Sequence, residues 1–475
     1  MKILNLRKYG SSRSELFFFA GVFSLLILGT AALIVKPAIL EQLMSPRSLK
    51  FIVILIGLVL SVISKNKTKI LLGLLVLSPA INFEIKAGEK VLTFVDLVLF
   101  LFLMNAFNVY YKFRSKFGKV KYEFYFIYLG IILSFLVGDK NLDSIFGTLR
   151  WIAIISLILF FMVNVGQSII SDHIFIGKMF VISSLICGIF GIAQKRGINI
   201  YVGTSYVNDR IDSTFQYYSN YSSFLATCLP IALYFVLSRE SSRFWKVTST
   251  IASLIIMEEV VTNYSRGALG AVALSLGLTF IMFRKRFLLV SGVGFSLLAI
   301  GIFLLSRIQN SEIFQIYQER FAVGNGSDRG RFILQNSGFE LAKQNLLGIG
   351  STNFARELES GIVVSRLALA HAHSLYISIA LELGLIGLVG FLILILRALI
   401  MRSEKSEYSD VLIRGSFLIA FICQLFQGFF DYFFNETASA LLFALVVGVS
   451  LQKTNFISYR TRSNRLEFID MRPDN

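Results

Sequence analysis

His371-Ala372-His373-Ser374-Leu375-Tyr376 closes a polar stretch that begins near Ser306, and it opens directly onto an apolar run that continues past Gly390. Two of the chain's three histidines therefore stand two residues apart where polar sequence meets a segment of hydrocarbon length. About 20 apolar residues suffice for one helical crossing of a bilayer. The same alternation of long apolar runs and short polar breaks recurs along the chain, and it decides the fold class.

At 475 residues, with 55% hydrophobic residues, a mean hydropathy of +0.70 and five prolines, the sequence is far too apolar for a soluble domain. Candidate spans lie near 16–35, 50–64, 69–83, 91–110, 123–138, 148–165, 175–194, 219–238, 245–263, 267–283, 287–306, 373–399, 411–431 and 436–451. The expected fold is all-α, a polytopic bundle of about 14 spans (12–14) in a single integral membrane domain. Spans 1–11 fill 16–306, a large loop takes 307–372, spans 12–14 follow in 373–451, and 452–475 form a basic tail. Within the loop, Phe332, Phe339 and Leu346 recur seven apart, with Ile333, Leu341 and Ala342 beside them. That pattern predicts an amphipathic helix over Arg331 to Gln344, on the membrane surface or over the end of the bundle.

The net charge of +17 would point to nucleic acid in a soluble protein, but these basic residues fall almost wholly between apolar runs. Nucleic acid is excluded as a partner on that distribution. The segments on the side of the N-terminus hold 27 Lys and Arg, against 11 in the short segments of the opposite side and 7 in the long loop. By the positive-inside rule both termini are expected in the cytoplasm and the 307–372 loop outside. Cys187, Cys228 and Cys423 each sit inside an apolar run, where a cysteine behaves as a small hydrophobe rather than a disulfide half or thiolate ligand.

On the external side the topology gathers polar groups that are distant in sequence. They are Arg210, Asp212 and Asn220; Asn263-Tyr264-Ser265-Arg266-Gly267; Arg329 and Arg331; and His373 with Ser374. A guanidinium makes paired, charge-assisted hydrogen bonds and keeps its proton, so this set suits a phosphate-bearing headgroup. Any one of these arginines also fits ordinary snorkelling to lipid. Arg266 differs, since it occupies a very short break with Gly267 beside it to allow the bend. An imidazole titrates near neutrality, which makes His373 the candidate general base. His371 and His173 are read as ordinary polar residues. The i, i+2 histidine pair raises a metal, but no carboxylate or cysteine nearby in sequence completes a ligand set, so none is expected. Of the acids, Glu258 or Glu259 lies about one turn inside the span before Asn263 and is expected to face the arginines. Glu382 is expected to make a helix-to-helix hydrogen bond, and Asp431 to pair with an arginine.

His373-Ser374-Leu375-Tyr376-Ile377 followed by Glu382-Leu383-Gly384-Leu385-Ile386-Gly387-Leu388 resembles the signature of the O-antigen ligase and O-antigen polymerase superfamily. There a His-Asn pair precedes a Glu-x-Gly-x-x-Gly helix. Gly348-Ile349-Gly350-Ser351-Thr352-Asn353-Phe354 is similar to the family's Gly-x-Gly-x-x-Asn-Phe turn, and Arg331 to Gln344 to its amphipathic segment. Ser265-Arg266-Gly267-Ala268 and Arg210 to Asn220 are similar to its external arginine motifs. Ser374 stands where the family has asparagine, and Asn345 where proline is common.

The resemblance covers about Arg210 to Leu451. It implies a bacterial inner-membrane enzyme, active on the periplasmic face, that transfers an undecaprenyl-pyrophosphate-linked glycan to an acceptor hydroxyl without metal, cofactor or nucleotide sugar. Arg210 and Arg266 would hold the pyrophosphate and His373 would serve the acceptor, so these three are the catalytic candidates. Arg329, Arg331, Asn220, Ser374 and Glu259 are the binding candidates. Implied partners are the lipid-linked donor, a glycan or lipid-linked acceptor, membrane lipids and a chain-length regulator protein. The motifs do not separate polymerase from ligase, and the span count leans slightly to polymerase or another member of the superfamily. A transporter of a small anion such as bicarbonate is the competing class. Transport needs polar groups near mid-membrane, whereas here they cluster at one surface.

Overall fold

The computed structural model describes residues 67–81, 84–87, 90–113, 121–163, 173–197, 211–284, 326–361, 371–400 and 408–451. The expected spans at 16–35, 50–64 and 287–306, most of the 307–372 loop, the tail and Arg210 lie outside them. The described helices are α1 (Lys67–Leu77), α2 (Phe94–Phe113), α3 (Tyr122–Val137), α4 (Leu142–Val163), α5 (His173–Lys195), α6 (Tyr218–Leu237) and α7 (Arg243–Thr262). They continue with α8 (Arg266–Met282), α9 (Gly326–Gln344), α10 (Phe354–Gly361), α11 (Leu375–Ile400), α12 (Tyr408–Gln427) and α13 (Thr437–Leu451). Helices thus occupy the expected places of spans 3 to 10 and 12 to 14. Among the described residues, α4, α5, α6 and α11 are long and apolar enough to cross a membrane, and α1, α2, α3, α8, α12 and α13 are shorter apolar helices.

One element departs from the all-α expectation. Strands β1 (Glu84–Ala87) and β2 (Lys90–Thr93) pair antiparallel, with Glu84 opposite Thr93. The helix expected from residue 91 begins only at Phe94, because Thr93 and Asp96 form a reciprocal cap. The Thr93 amide donates to Asp96 Oδ2 at 2.9 Å, while the Asp96 amide donates to Thr93 Oγ1 at 3.3 Å. A Thr-x-x-Asp box of this kind satisfies two amides that a helix start leaves unpaired. Asp96 Oδ1 also accepts from Thr437 Oγ1 at 2.6 Å, tying the start of α2 to the start of α13.

Every residue of α13 is buried. A helix apolar all round belongs in the middle of a bundle, and Phe443 of α13 packs against Phe391, Phe421, Phe433 and Phe434. Helices α3 and α11 cross closely because three glycines remove side chains from the contact. A Cβ on Gly130 would stand 2.6 Å from the Cα of Gly387, and one on Gly390 would stand 2.9 Å from the carbonyl of Glu123. Arg397 closes this pair with a 2.6 Å ion pair to the fully buried Glu123.

Helix α11 is broken at Gly384, whose φ of +69° and ψ of −178° no L-residue adopts readily. The break frees backbone groups that the preceding loop takes up. The Leu385 amide donates to the Leu346 carbonyl at 2.8 Å, and the Ile349 amide to the Leu381 carbonyl at 2.7 Å. Gly348 at φ +87° and Gly350 at φ +83° let that loop turn tightly over the kink. Asn353 holds the turn, donating to the Ile349 carbonyl at 2.7 Å and accepting from Asn141 at 2.9 Å. The Glu-x-Gly-x-x-Gly and Gly-x-Gly-x-x-Asn sequences are thus two halves of one backbone clasp.

Helix α9 forms where the amphipathic pattern predicts. Leu334 is buried, and Gly338 abuts Ala372, Ile377 and Leu381, so this face packs on α11 and its approach. Phe332, Ile333, Phe339 and Leu346 point outward and are exposed. The helix therefore has an apolar face toward the bundle and a second one toward its surroundings.

Candidate active site

Asn263 organises one wall of the site. Its side chain accepts from the Ile211 amide at 3.0 Å and donates to the Ile211 carbonyl at 2.9 Å and to Ser222 Oγ at 2.7 Å. The 211–215 segment, the start of α6 and the turn between α7 and α8 are thereby fixed to one another. That turn places Tyr264 at φ +53°, an uncommon conformation for a bulky residue, and then starts α8 at Arg266. Non-glycine residues in this region concentrate at functional sites.

A cavity of about 50 Å³ opens here, lined by Tyr218, Asn220, Ser265, Arg266, Arg331 and Asp431 among others. The first turns of α6 and α8 both contribute to its wall. Helix N-termini present unpaired amides and the positive end of the helix dipole, so two of them with Arg266 and Arg331 favour an anion, against the single carboxylate of Asp431 in the same wall. Arg331 also shares a hydrogen bond with the Tyr218 hydroxyl.

Asp431 joins this cavity to the histidines. Its Oδ1 lies 3.3 Å from Nδ1 of His373 and 3.4 Å from Nε2 of His371, and it accepts the Tyr432 amide at 2.9 Å. Burial pushes the Asp431 carboxyl up, but the two imidazoles beside it outweigh burial and hold it well below the usual carboxylate range. His373 itself sits at φ +48°, and its carbonyl accepts from Gln335 of α9 at 2.8 Å. The next amide but one, that of Leu375, donates to the Gly428 carbonyl at 2.7 Å. The histidine is thus pinned between α9 and the end of α12.

The structure sorts the sequence candidates. Arg266, Arg331 and Asn220 line the cavity, and His373 reaches it through Asp431. Arg329 is exposed on α9 and is not among the lining residues. Ser374 is buried just before α11, with its carbonyl accepting from the Ser378 amide. Glu259 departs from expectation. It is fully buried away from the cavity, 2.9 Å from Lys195 Nζ and accepting from the Tyr221 hydroxyl at 3.1 Å. Lys195, at the end of α5, pairs with both Glu258 and Glu259, and neither acid is among the residues that line the cavity. Asp431 pairs with histidines rather than the expected arginine, and it supplies the carboxylate that the local sequence around His371 and His373 lacks. Glu382 makes the expected helix-to-helix bond, accepting from Trp151 at 2.7 Å and also from Ser351 at 2.9 Å.

Sequence reasoning missed Glu436. It is buried, accepting from Asn220 at 2.8 Å and from the Gln216 amide at 3.2 Å. Burial raises its pKa to about 7 despite those bonds. Its signal was an acid at the predicted start of the last span, on the same side as Asp431.

Residues 251–392 match the family model described as O-antigen ligase. The matched stretch contains Arg266, Arg331, His373 and the Gly384 clasp, and leaves out Asn220 and Asp431. No curated protein matches the chain. The family match supports a membrane-bound, glycan-transferring role in polysaccharide biosynthesis.

Proposed function

We propose, for a chain whose residues 251–392 match the O-antigen ligase family model, that it transfers an undecaprenyl-diphosphate-linked glycan to a sugar hydroxyl at the periplasmic face of a bacterial inner membrane. The observation that carries this reading is the convergence of Arg266, Arg331 and the first turns of α6 and α8 on one cavity whose wall includes the histidine-bound Asp431. Diphosphate is the leaving group. As the bond from the anomeric carbon to the diphosphate oxygen breaks, the electron pair stays on that oxygen, where fixed cations and amides stabilise it.

His373 is the base. It takes the proton of the acceptor hydroxyl while that oxygen forms the new bond to the anomeric carbon, and Asp431 orients the ring and stabilises the imidazolium. One direct displacement inverts the anomeric configuration. Because diphosphate departs readily, positioning and electrostatics suffice and no covalent enzyme intermediate is required. Arg210, which the resemblance pairs with Arg266, is assigned to the same diphosphate.

The test is glycan transfer by purified protein from a lipid-diphosphate donor to acceptor, compared with Arg266→Ala and His373→Ala inserted normally in the membrane. Loss of product in both is expected. Transfer retained by both variants overturns the assignment.

A further inference from the structure

Gln427 ends α12, and its backbone folds the turn that delivers Asp431. Its carbonyl accepts the Phe430 amide at 2.9 Å and the Asp431 amide at 3.0 Å. The side chain is not needed for that turn. It is 4% exposed and lines the arginine cavity, and its Nε2 has no hydrogen-bond partner among the described residues. A carboxamide nitrogen carries two donors. Holding both unpaired and out of water costs stability that the surrounding fold does not offset.

The cavity shows which kind of acceptor suits that nitrogen. Arg266 and Arg331 line it and can only donate, as can the amides that open α6 and α8. Asp431 is the one carboxylate among the lining residues, and the two histidines and the Tyr432 amide already engage it. The wall is thus rich in fixed donors. An occupant with several acceptor oxygens, as a phosphate has, satisfies them together.

We propose that Gln427 Nε2 donates to a phosphate oxygen of the lipid diphosphate, an uncharged third arm beside Arg266 and Arg331. The inference rests on the function argued above and adds to it a contact from outside the matched residues 251–392. The donor is set in position before the ligand arrives, at a cost to the empty protein. Residues that serve binding in this way trade stability for it. A glutamine with a purely structural role behaves oppositely, since its loss lowers stability. Helix α12 supplies a control one turn earlier. Gln424 is 1% exposed and its Oε1 is likewise unpartnered, but it is not among the lining residues.

Full-length protein in detergent is titrated calorimetrically with farnesyl diphosphate, which carries no glycan, and the empty protein is melted separately. Methionine is unbranched like glutamine and lacks its donors. Gln427→Met is expected to bind about tenfold or more weakly than wild type, the scale of one hydrogen bond to a charged acceptor, and to melt no lower than wild type when empty. Gln424→Met is expected to bind as wild type does. Unchanged affinity in Gln427→Met beside weakened binding in Arg266→Ala overturns the proposal and leaves the diphosphate reading standing; it is also the outcome if Nε2 serves a sugar instead. Wild-type protein that does not bind farnesyl diphosphate overturns both. Equal weakening in Gln424→Met and Gln427→Met, or an empty Gln427→Met that melts well below wild type, overturns the proposal as well by making the glutamine a structural residue.

Discussion

Asp431 Oδ1 and His373 Nδ1 lie 3.3 Å apart although 58 positions of sequence separate them. One residue precedes α11 and the other follows α12, so two antiparallel helix ends deliver base and carboxylate to one point. Replacing the carboxylate by an amide keeps the shape but removes the charge that stabilises the imidazolium. Asp431→Asn is expected to lower kcat by about 10²-fold or more, the usual scale of general-base catalysis. KM for donor should change little. An equal loss in both parameters at unchanged pH profile would remove Asp431 from the proton transfer.

Arg266 opens α8 inside the cavity, and its planar fork can meet two phosphate oxygens at once. Lysine keeps the charge and loses the second hydrogen bond. A hydrogen bond to a charged group contributes about 1.5–3 kcal/mol. Arg266→Lys is therefore expected to lose roughly 10- to 100-fold in kcat/KM, with Arg266→Ala losing more. Steady-state kinetics at varied donor concentration check the order. Arg331→Lys should follow the same direction.

The helices were legible because a membrane span must satisfy its backbone internally, which forces long apolar runs that composition alone reveals. Arg266 and Arg331 were legible for the opposite reason, being charges placed next to such runs, whereas Arg329 does not reach the cavity. What escaped were relations fixed by rotation about a helix axis. Glu258 and Glu259 are adjacent in sequence, and nothing in the pattern showed that Lys195, rather than the arginines, would pair with both. Asp431 was placed on the correct side but given the wrong partner, since the left-handed turn at His373 that aims the ring is not written in residue type. The β1–β2 hairpin was lost to an apolar stretch, Val91-Leu92, that reads as helix until the Thr93–Asp96 cap is recognised.

Gly384 tests the clasp independently of the chemistry. A Cβ there would stand 2.5 Å from the Leu347 carbonyl carbon and 2.7 Å from two carbonyl oxygens, all backbone atoms that cannot swing aside. The φ of +69° adds strain of about 1–3 kcal/mol for any side chain. Gly384→Ala is expected to lower thermal stability in detergent markedly, whereas Gly277→Ala, at a glycine with open space around it, is expected to leave Tm nearly unchanged. Equal Tm in the two variants would falsify the clasp as a structural element.

Glu436 makes stability depend on pH. Its folded pKa is about 7 against an ordinary 4.5, because burial outweighs the hydrogen bonds from Asn220 and Gln216 and the nearby charge of Arg150, while Asp212 pushes the same way as burial. A raised pKa means that the folded state prefers the protonated acid. The stabilising contribution is fully present below about pH 4.5 and is lost as pH rises through about 7, over a range worth roughly 3 kcal/mol. Asp212, raised to about 6 by burial, adds a slope of the same sign at lower pH. Glu436→Gln removes the titration but leaves one fewer acceptor for the two donors that face it, a cost of about 1 kcal/mol. The variant is therefore expected to be less stable than wild type at pH 5 and to match or exceed it at pH 8. Chemical or thermal unfolding in detergent at both pH values reads the crossing, and parallel curves for the two proteins would show that Glu436 is ionised in the fold throughout.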